Sequence, residues 1–196
     1  MEFCTTMRFF SRVRRFTRGR RRPPDEPRRY VFLYHRVASP DYDPFQLAVP
    51  REWFQAHLEI LGECCRLTSL ADLLRGETTG ARPLAAITFD DGYVDNLRTA
   101  APILREAAIP ATFFICTSAL GDSRGFWWDR VAGAIAGGSA RLSKLESMSG
   151  LLPAAHISLA EDLTRATLDI ASRLQRLRPG PRNRLVEEIE DVLLSG

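Results

Sequence analysis

Lysine is almost missing from this 196-residue chain: Lys144 stands alone among 27 basic residues, so nearly all positive charge is arginine. No G-x-x-x-x-G-K-[ST] stretch occurs, which excludes a P-loop cradle for nucleotide phosphates. A response-regulator receiver is excluded as well, since it would want a lysine and a further aspartate at a later strand end. Long apolar runs are missing too, and none approaches the ~18 residues of a membrane-spanning helix. The four cysteines, Cys4, Cys64, Cys65 and Cys116, show no C-x-x-C spacing. The adjacent pair at 64 and 65 suits neither an ordinary disulfide nor tetrahedral zinc, so reduced thiols are expected, with Cys116 buried in its apolar run. No apolar stretch of ~7 residues follows the N-terminal arginines, and Pro23 and Pro24 stand where one would run. A cytoplasmic location, at most peripheral to a membrane, is the expectation.

What is present is the composition of a globular protein, 45% apolar and 26% charged, at a length that suits one domain with a tail. The charge is unevenly spread. Residues 1–36 carry eleven arginines against three acids, a net +8, which leaves −5 for residues 37–196 of a chain whose total is +3. Within this basic arm Phe3, Met7, Phe10, Val13 and Phe16 recur at helical spacing among arginines. That pattern allows weak contact with an anionic membrane surface but no specific nucleic-acid reading. A solvated, disordered arm is the favoured interpretation, because a short isolated helix is marginal in water.

Ordered structure is expected from Tyr30-Val31-Phe32-Leu33-Tyr34, a buried strand ending at His35-Arg36. Pro50 opens a helix with Phe54, Leu58 and Leu61 on one face, and Ser69 with Asp72 forms a capping arrangement for a short helix stopped at Gly76. Leu84-Ala85-Ala86-Ile87-Thr88-Phe89 is apolar without alternation, as a strand covered on both faces of a parallel sheet must be. Asp95 is placed to cap a helix carrying Leu97, Ala101, Leu104 and Ala108, and Ile109 to Ile115 returns as a second buried strand. This alternation predicts an α/β domain with its site at the carboxyl ends of the strands. Beyond Gly121 the signals turn helical: Phe126–Ala136 with Trp128, Val131 and Ile135 inward, residues 158–177, and a last helix with Leu185, Ile189 and Val192. The predicted divisions are thus an arm over 1–28, an α/β part over 29–121 and a helical insertion or extension over 122–196.

The chemistry concentrates at Asp90-Asp91-Gly92. Two adjacent carboxylates at the end of a buried strand repel one another; a divalent cation relieves this, leaving one acid as ligand and the other as base on water. Adjacent strand residues point to opposite faces, so both meet one ion only where the chain leaves the sheet, and Gly92 permits that turn. By turn chemistry alone, a solvated β-turn is an equal alternative. Ile87-Thr88-Phe89-Asp90-Asp91-Gly92-Tyr93, continuing through Asp95-Asn96 to Pro110-Ala111-Thr112-Phe113-Phe114, resembles the first motif of the polysaccharide deacetylases, the NodB-homology or carbohydrate esterase 4 family. Tyr34-His35-Arg36-Val37 and Thr68-Ser69-Leu70 resemble the opening of its xylanase and chitin deacetylase-like branch. The likeness spans about residues 30–120.

The resemblance implies a distorted (β/α) barrel, incomplete in this chain, and a metal-dependent hydrolase removing acetyl groups from N- or O-acetylated polysaccharide. It assigns Asp90 as general base and Asp91 as ligand to a divalent metal, zinc or else cobalt or nickel. His35 and Tyr93 are expected near the site or on substrate. The H-x-x-x-H pair that completes the family's metal site is missing: the histidines are His35, His57 and His156, with Ser39, Leu61 and Ala160 four positions on. His57 and His156 are expected to be structural or solvated, and Trp127 and Trp128 to pack in the core. A truncated chain, inactive as it stands, is the expected explanation; the alternative is a non-catalytic module that binds carbohydrate or a membrane surface.

Overall fold

A computed structural model describes residues 28–75, 82–121, 124–147 and 163–195. The basic arm through residue 27, the Gly76 stop and His156 lie outside the described residues.

The strand predicted at Leu84–Phe89 (β5) is buried at every position and organises the sheet. Strand β1, Arg29–Tyr34, runs parallel to it over its whole length, from Arg29 opposite Leu84 to Tyr34 opposite Phe89. Two short strands share its other edge: β4, Arg66–Leu67, pairs with its start, and β6, Ala111–Phe113, with its end. All three pairings are parallel, as the covered apolar run requires. A separate parallel pair joins β2, Arg36–Val37, to β3, Ala48–Val49. The loop between them is drawn closed by the Asp43 carboxylate, which accepts from Leu47 N and Ala48 N. The architecture is α/β with open sheets, and no barrel closes among the described residues.

Helix α1, Arg51–Cys64, lays Phe54, Leu58 and Leu61 against Tyr34, Ile87 and Phe89, the predicted face. Helix α2, Leu70–Arg75, begins as its sequence indicates: Ser69 Oγ accepts from Asp72 N and donates to Asp72 Oδ2. The next helix departs from expectation. Asn96–Ala100 is a π-helical turn leading into α3, Ala101–Glu106, and the buried side chains are Asn96, Ala100, Ile103 and Leu104. Leu97 is exposed and Ala108 ends the helix at positive φ, because the wider turn rotates the apolar face away from ideal spacing.

Two strands predicted as buried are covered on one face only, with Tyr34, Phe32 and Ala111 on the core. Val31 and Leu33 of β1 are half exposed, since no described element covers that face. Strand β6 is shorter than the predicted Ile109–Ile115, and Phe114 and Ile115 beyond it are half exposed; Cys116 is only partly covered rather than core.

The C-terminal part is helical, as predicted: α4, Trp127–Gly137; a 3-10 stretch, Ser139–Ser147; α5, Leu163–Leu174; and α6, Pro179–Leu194. These pack on one another around Val131, Ile135, Leu142, Leu145, Ile170, Leu174, Val186, Ile189 and Leu193. In α6 the fully buried positions are Val186, Ile189 and Leu193, one residue from the predicted Leu185 and Val192 at two places, both of which are only partly buried. No described helix is long and apolar enough to cross a membrane.

Candidate active site

The parallel register brings the carboxyl ends of β1, β5 and β6 together. Asp90 N donates to Tyr34 O at 3.0 Å, Phe114 N to Phe89 O at 2.8 Å and Cys116 N to Asp91 O at 3.1 Å, so the turn after β5 is pinned from both neighbours. Asp91 and Gly92 both take positive φ, +69° and +81°. The chain therefore reverses sharply where the two carboxylates stand. A Cβ on Gly92 would lie 3.0 Å from Ile115 Cγ2, which fixes glycine here on space as well as conformation.

His35, one residue beyond β1, faces this turn: its Nδ1 lies 2.9 Å from Asp91 Oδ2, with both side chains partly exposed. A carboxylate can only accept, so the ring proton sits on Nδ1. Asp95 does not cap its helix. It is buried, accepting from Arg36 Nε at 2.9 Å and from Val37 N at 3.1 Å, and so anchors β2 beneath the rim. His57 hydrogen-bonds the Tyr34 hydroxyl in the core, where burial lowers the imidazole pKa and pushes the Tyr34 phenol up to about 12.

The helical part contributes side chains to the same rim. Trp128 Nε1 donates to the Tyr93 hydroxyl at 2.8 Å, and Arg36 lies over the Tyr93 ring. Phe126 stacks on Trp128 with ring centroids 4.5 Å apart and ring planes nearly parallel. Burial raises the Asp129 carboxyl above its ordinary value, opposed by the neighbouring Tyr93 and Arg36 and reinforced by Asp91 and Asp43; burial also raises the Tyr93 phenol. Trp127, not Trp128, packs on the helical core, so the expectation that Trp128 points inward is corrected. Sequence reading missed Asp129, which passes for an ordinary acidic residue in a first helical turn.

Asp91 and His35 do not by themselves suffice for a metal ion. Among the described residues no three His, Cys, Asp or Glu side chains come together in a group that could hold one, and the only paired oxygen of Asp91 is taken by His35.

The polysaccharide deacetylase family model matches residues 77–146, a stretch that includes β5, β6 and α4. This stretch is similar to the polysaccharide deacetylases. A Bacillus subtilis (strain 168) protein, YxkH, itself a polysaccharide deacetylase by assignment, is 30% identical over 95 residues, 46% of this chain. The chain spans about a third (33%) of that relative's length. Two solved structures are similar to parts of the chain: a de-N-acetylase from Aggregatibacter actinomycetemcomitans (24% identity, 52% of this chain and 39% of that one, TM-score 0.40) and IcaB from Ammonifex degensii (22%, 83% and 81%, TM-score 0.44). The matched stretch contains Asp90, Asp91, Tyr93 and Asp129; His35 lies upstream of it.

Proposed function

We propose that the stretch matched by the polysaccharide deacetylase family serves a hydrolase that removes acetyl groups from N- or O-acetylated polysaccharide. The observation that carries this reading is the Asp90-Asp91 pair on a strained strand-end turn, with His35 fixed on Asp91, inside the stretch that matches the family. Asp90 is the general base: it takes a proton from water as the oxygen adds to the acetyl carbon. The bond to the sugar nitrogen or oxygen then breaks, the leaving atom takes up the proton that Asp90 removed from water, and acetate departs. His35 positions Asp91, and Tyr93 borders substrate. The resemblance also implies a divalent cation, zinc or else cobalt or nickel, on Asp91; its further ligands would come from outside the described residues, and proton removal by Asp90 is assigned no dependence on it. The four strands are read as a sector of a (β/α) barrel, with residues 29–121 as its α/β part and 122–196 as a helical addition.

Acetate release from acetylated chito-oligosaccharides, measured on the full chain with and without added zinc, cobalt or nickel, tests the reading. Asp90→Asn is expected to lower the rate roughly 10²–10⁴-fold, the usual worth of a positioned base. Undiminished release in that variant removes Asp90 from the role. Binding of acetylated sugar by the unmodified chain with no release under any metal favours the non-catalytic carbohydrate-binding module instead.

A further inference from the structure

Two cavities adjoin at the rim, one beside the Asp91 turn and one between α4 and the loop joining β2 to β3, and each encloses about 320 Å³. That volume is near the lower end of the roughly 300–1,000 Å³ usual for small-molecule sites, room for one sugar ring. Tyr93 and Asp129 line both cavities and so stand between them. Tyr93 is a fixed partition: its hydroxyl accepts from Trp128, Arg36 lies over its ring and Phe126 meets it edge-on. The second cavity is walled on one side by Tyr42 and Phe45 of the loop and on the other by Gly133 of α4. A Cβ on Gly133 would meet nothing within 4 Å, so helix and loop leave a gap where a side chain could stand. The Tyr42 hydroxyl, bonded to Leu163 O and Thr167 Oγ1, ties the loop to the helical part. The charged groups on this lining are already matched inside the protein. Arg36 gives its Nε to Asp95, Asp43 accepts from Leu47 N and Ala48 N, and burial disfavours the ionised form of Asp129.

We propose that the cavity between the β2–β3 loop and α4 is a subsite for a neutral sugar unit, the one next to the unit held at the Asp91 turn. The proposal rests on the deacetylase reading and sets its substrate as an oligomer rather than a single sugar. Two ring-sized cavities that share a wall suit successive units of one chain, with the linkage passing over Tyr93 and Asp129. Tyr42 and Phe45 supply aromatic surface for the carbon face of an uncharged ring. A unit bearing an ammonium or a carboxylate would give up its hydration there without gaining an unopposed partner. Loop and helix belong to the two parts of the chain, and clefts between such parts are favoured ligand sites. Gly133 is therefore a specificity-determining residue of the helical part: the side chain it lacks leaves the room that the second ring takes.

Calorimetric titration separates this from the broader reading. The full chain carrying Asp90→Asn, which suppresses turnover, is titrated with N-acetylglucosamine, with diacetylchitobiose and with a uronate dimer. Diacetylchitobiose is expected to bind about tenfold tighter than the single sugar, a modest gain because ordering a second unit offsets part of its burial. Its affinity should change little as salt is raised, and the uronate dimer should bind more weakly. Adding Gly133→Leu, which puts a side chain into the gap, should cancel the tenfold gain. Adding Phe45→Ala instead, on the opposite wall, should reduce it, and this second variant decides the matter if melting curves show that Gly133→Leu does not fold. Equal affinity for the single sugar and the dimer, a gain that survives in the folded variants, or tighter binding of the uronate overturns the subsite and leaves the deacetylase reading standing. Failure of both acetylated sugars to bind sinks both.

Discussion

Two successive residues in the left-handed region, Asp91 and Gly92, mark the turn after β5 as a place where conformation is strained. Only Gly92 carries that φ freely; aspartate is among the few other residues that tolerate it. Asp129 bears a second cost, a carboxylate drawn out of water by burial. A carboxyl whose folded pKa is raised favours its protonated form, so the native state is penalised at neutral pH, and the penalty disappears below the ordinary carboxylate value. Asp129→Asn is accordingly expected to raise the melting temperature at pH 7, and the gain should shrink as pH falls into the ordinary carboxylate range. Melting curves of both proteins across this range check it; a variant less stable at pH 7 would mean that the carboxylate stabilises the rim. At this scale the sequence was legible where chemistry is local. Adjacent acids closing an apolar run need no tertiary information to be noticed. Asp129 was not legible, because what distinguishes it is Tyr93 and Trp128, and the meeting of Tyr93 with the first turn of α4 depends on how the helical part docks.

Among the elements, those that pack by local periodicity or complete enclosure matched their sequence, and those that depend on neighbours did not. Strand β5 is covered on both faces and reads so directly, whereas β1 and β6 have equally apolar sequences but lack partners on one side among the described residues. Helix α3 was misread because a π-helical turn shifts its face by part of a residue spacing, which apolar periodicity cannot register. The contact of α4 with α6 was also invisible, since it turns on a close approach at Gly138. A Cβ there would meet Leu193 Cβ at 2.6 Å and Leu193 O at 2.7 Å. Gly138→Ala must force the two helices apart and is expected to cost about 1–3 kcal/mol, as overpacking does. Gly133, inside α4, has nothing within 4 Å of its would-be Cβ, so Gly133→Ala should stabilise by about 0.5–1 kcal/mol through helix propensity alone. Denaturant unfolding of the pair tests both signs, and a neutral Gly138→Ala would show that the approach is looser than described.

At the scale of the molecule, the two larger apolar clusters among the described residues, one around the sheet and one within α4, the 3-10 stretch, α5 and α6, have no member in common. They are joined by polar side chains. The Tyr42 hydroxyl donates to Leu163 O at 2.9 Å and lies 2.8 Å from Thr167 Oγ1, while Trp128 bonds Tyr93. Hydrogen bonds of this kind contribute about 0.5–1.5 kcal/mol each, far less than burial of a shared core, so the helical cluster should be able to open while the sheet stays folded. Native-state hydrogen exchange is expected to show the amides of α4, α5 and α6 exchanging through one common opening, at lower free energy than those of β5. Tyr42→Phe keeps the ring but removes the hydroxyl. It should lower the opening energy of the helical amides by about 1 kcal/mol and leave β5 unchanged. A single opening energy for both sets, shifted equally by Tyr42→Phe, would mean that the two clusters unfold as one and that the helical part cannot be treated as a separable contributor to the rim.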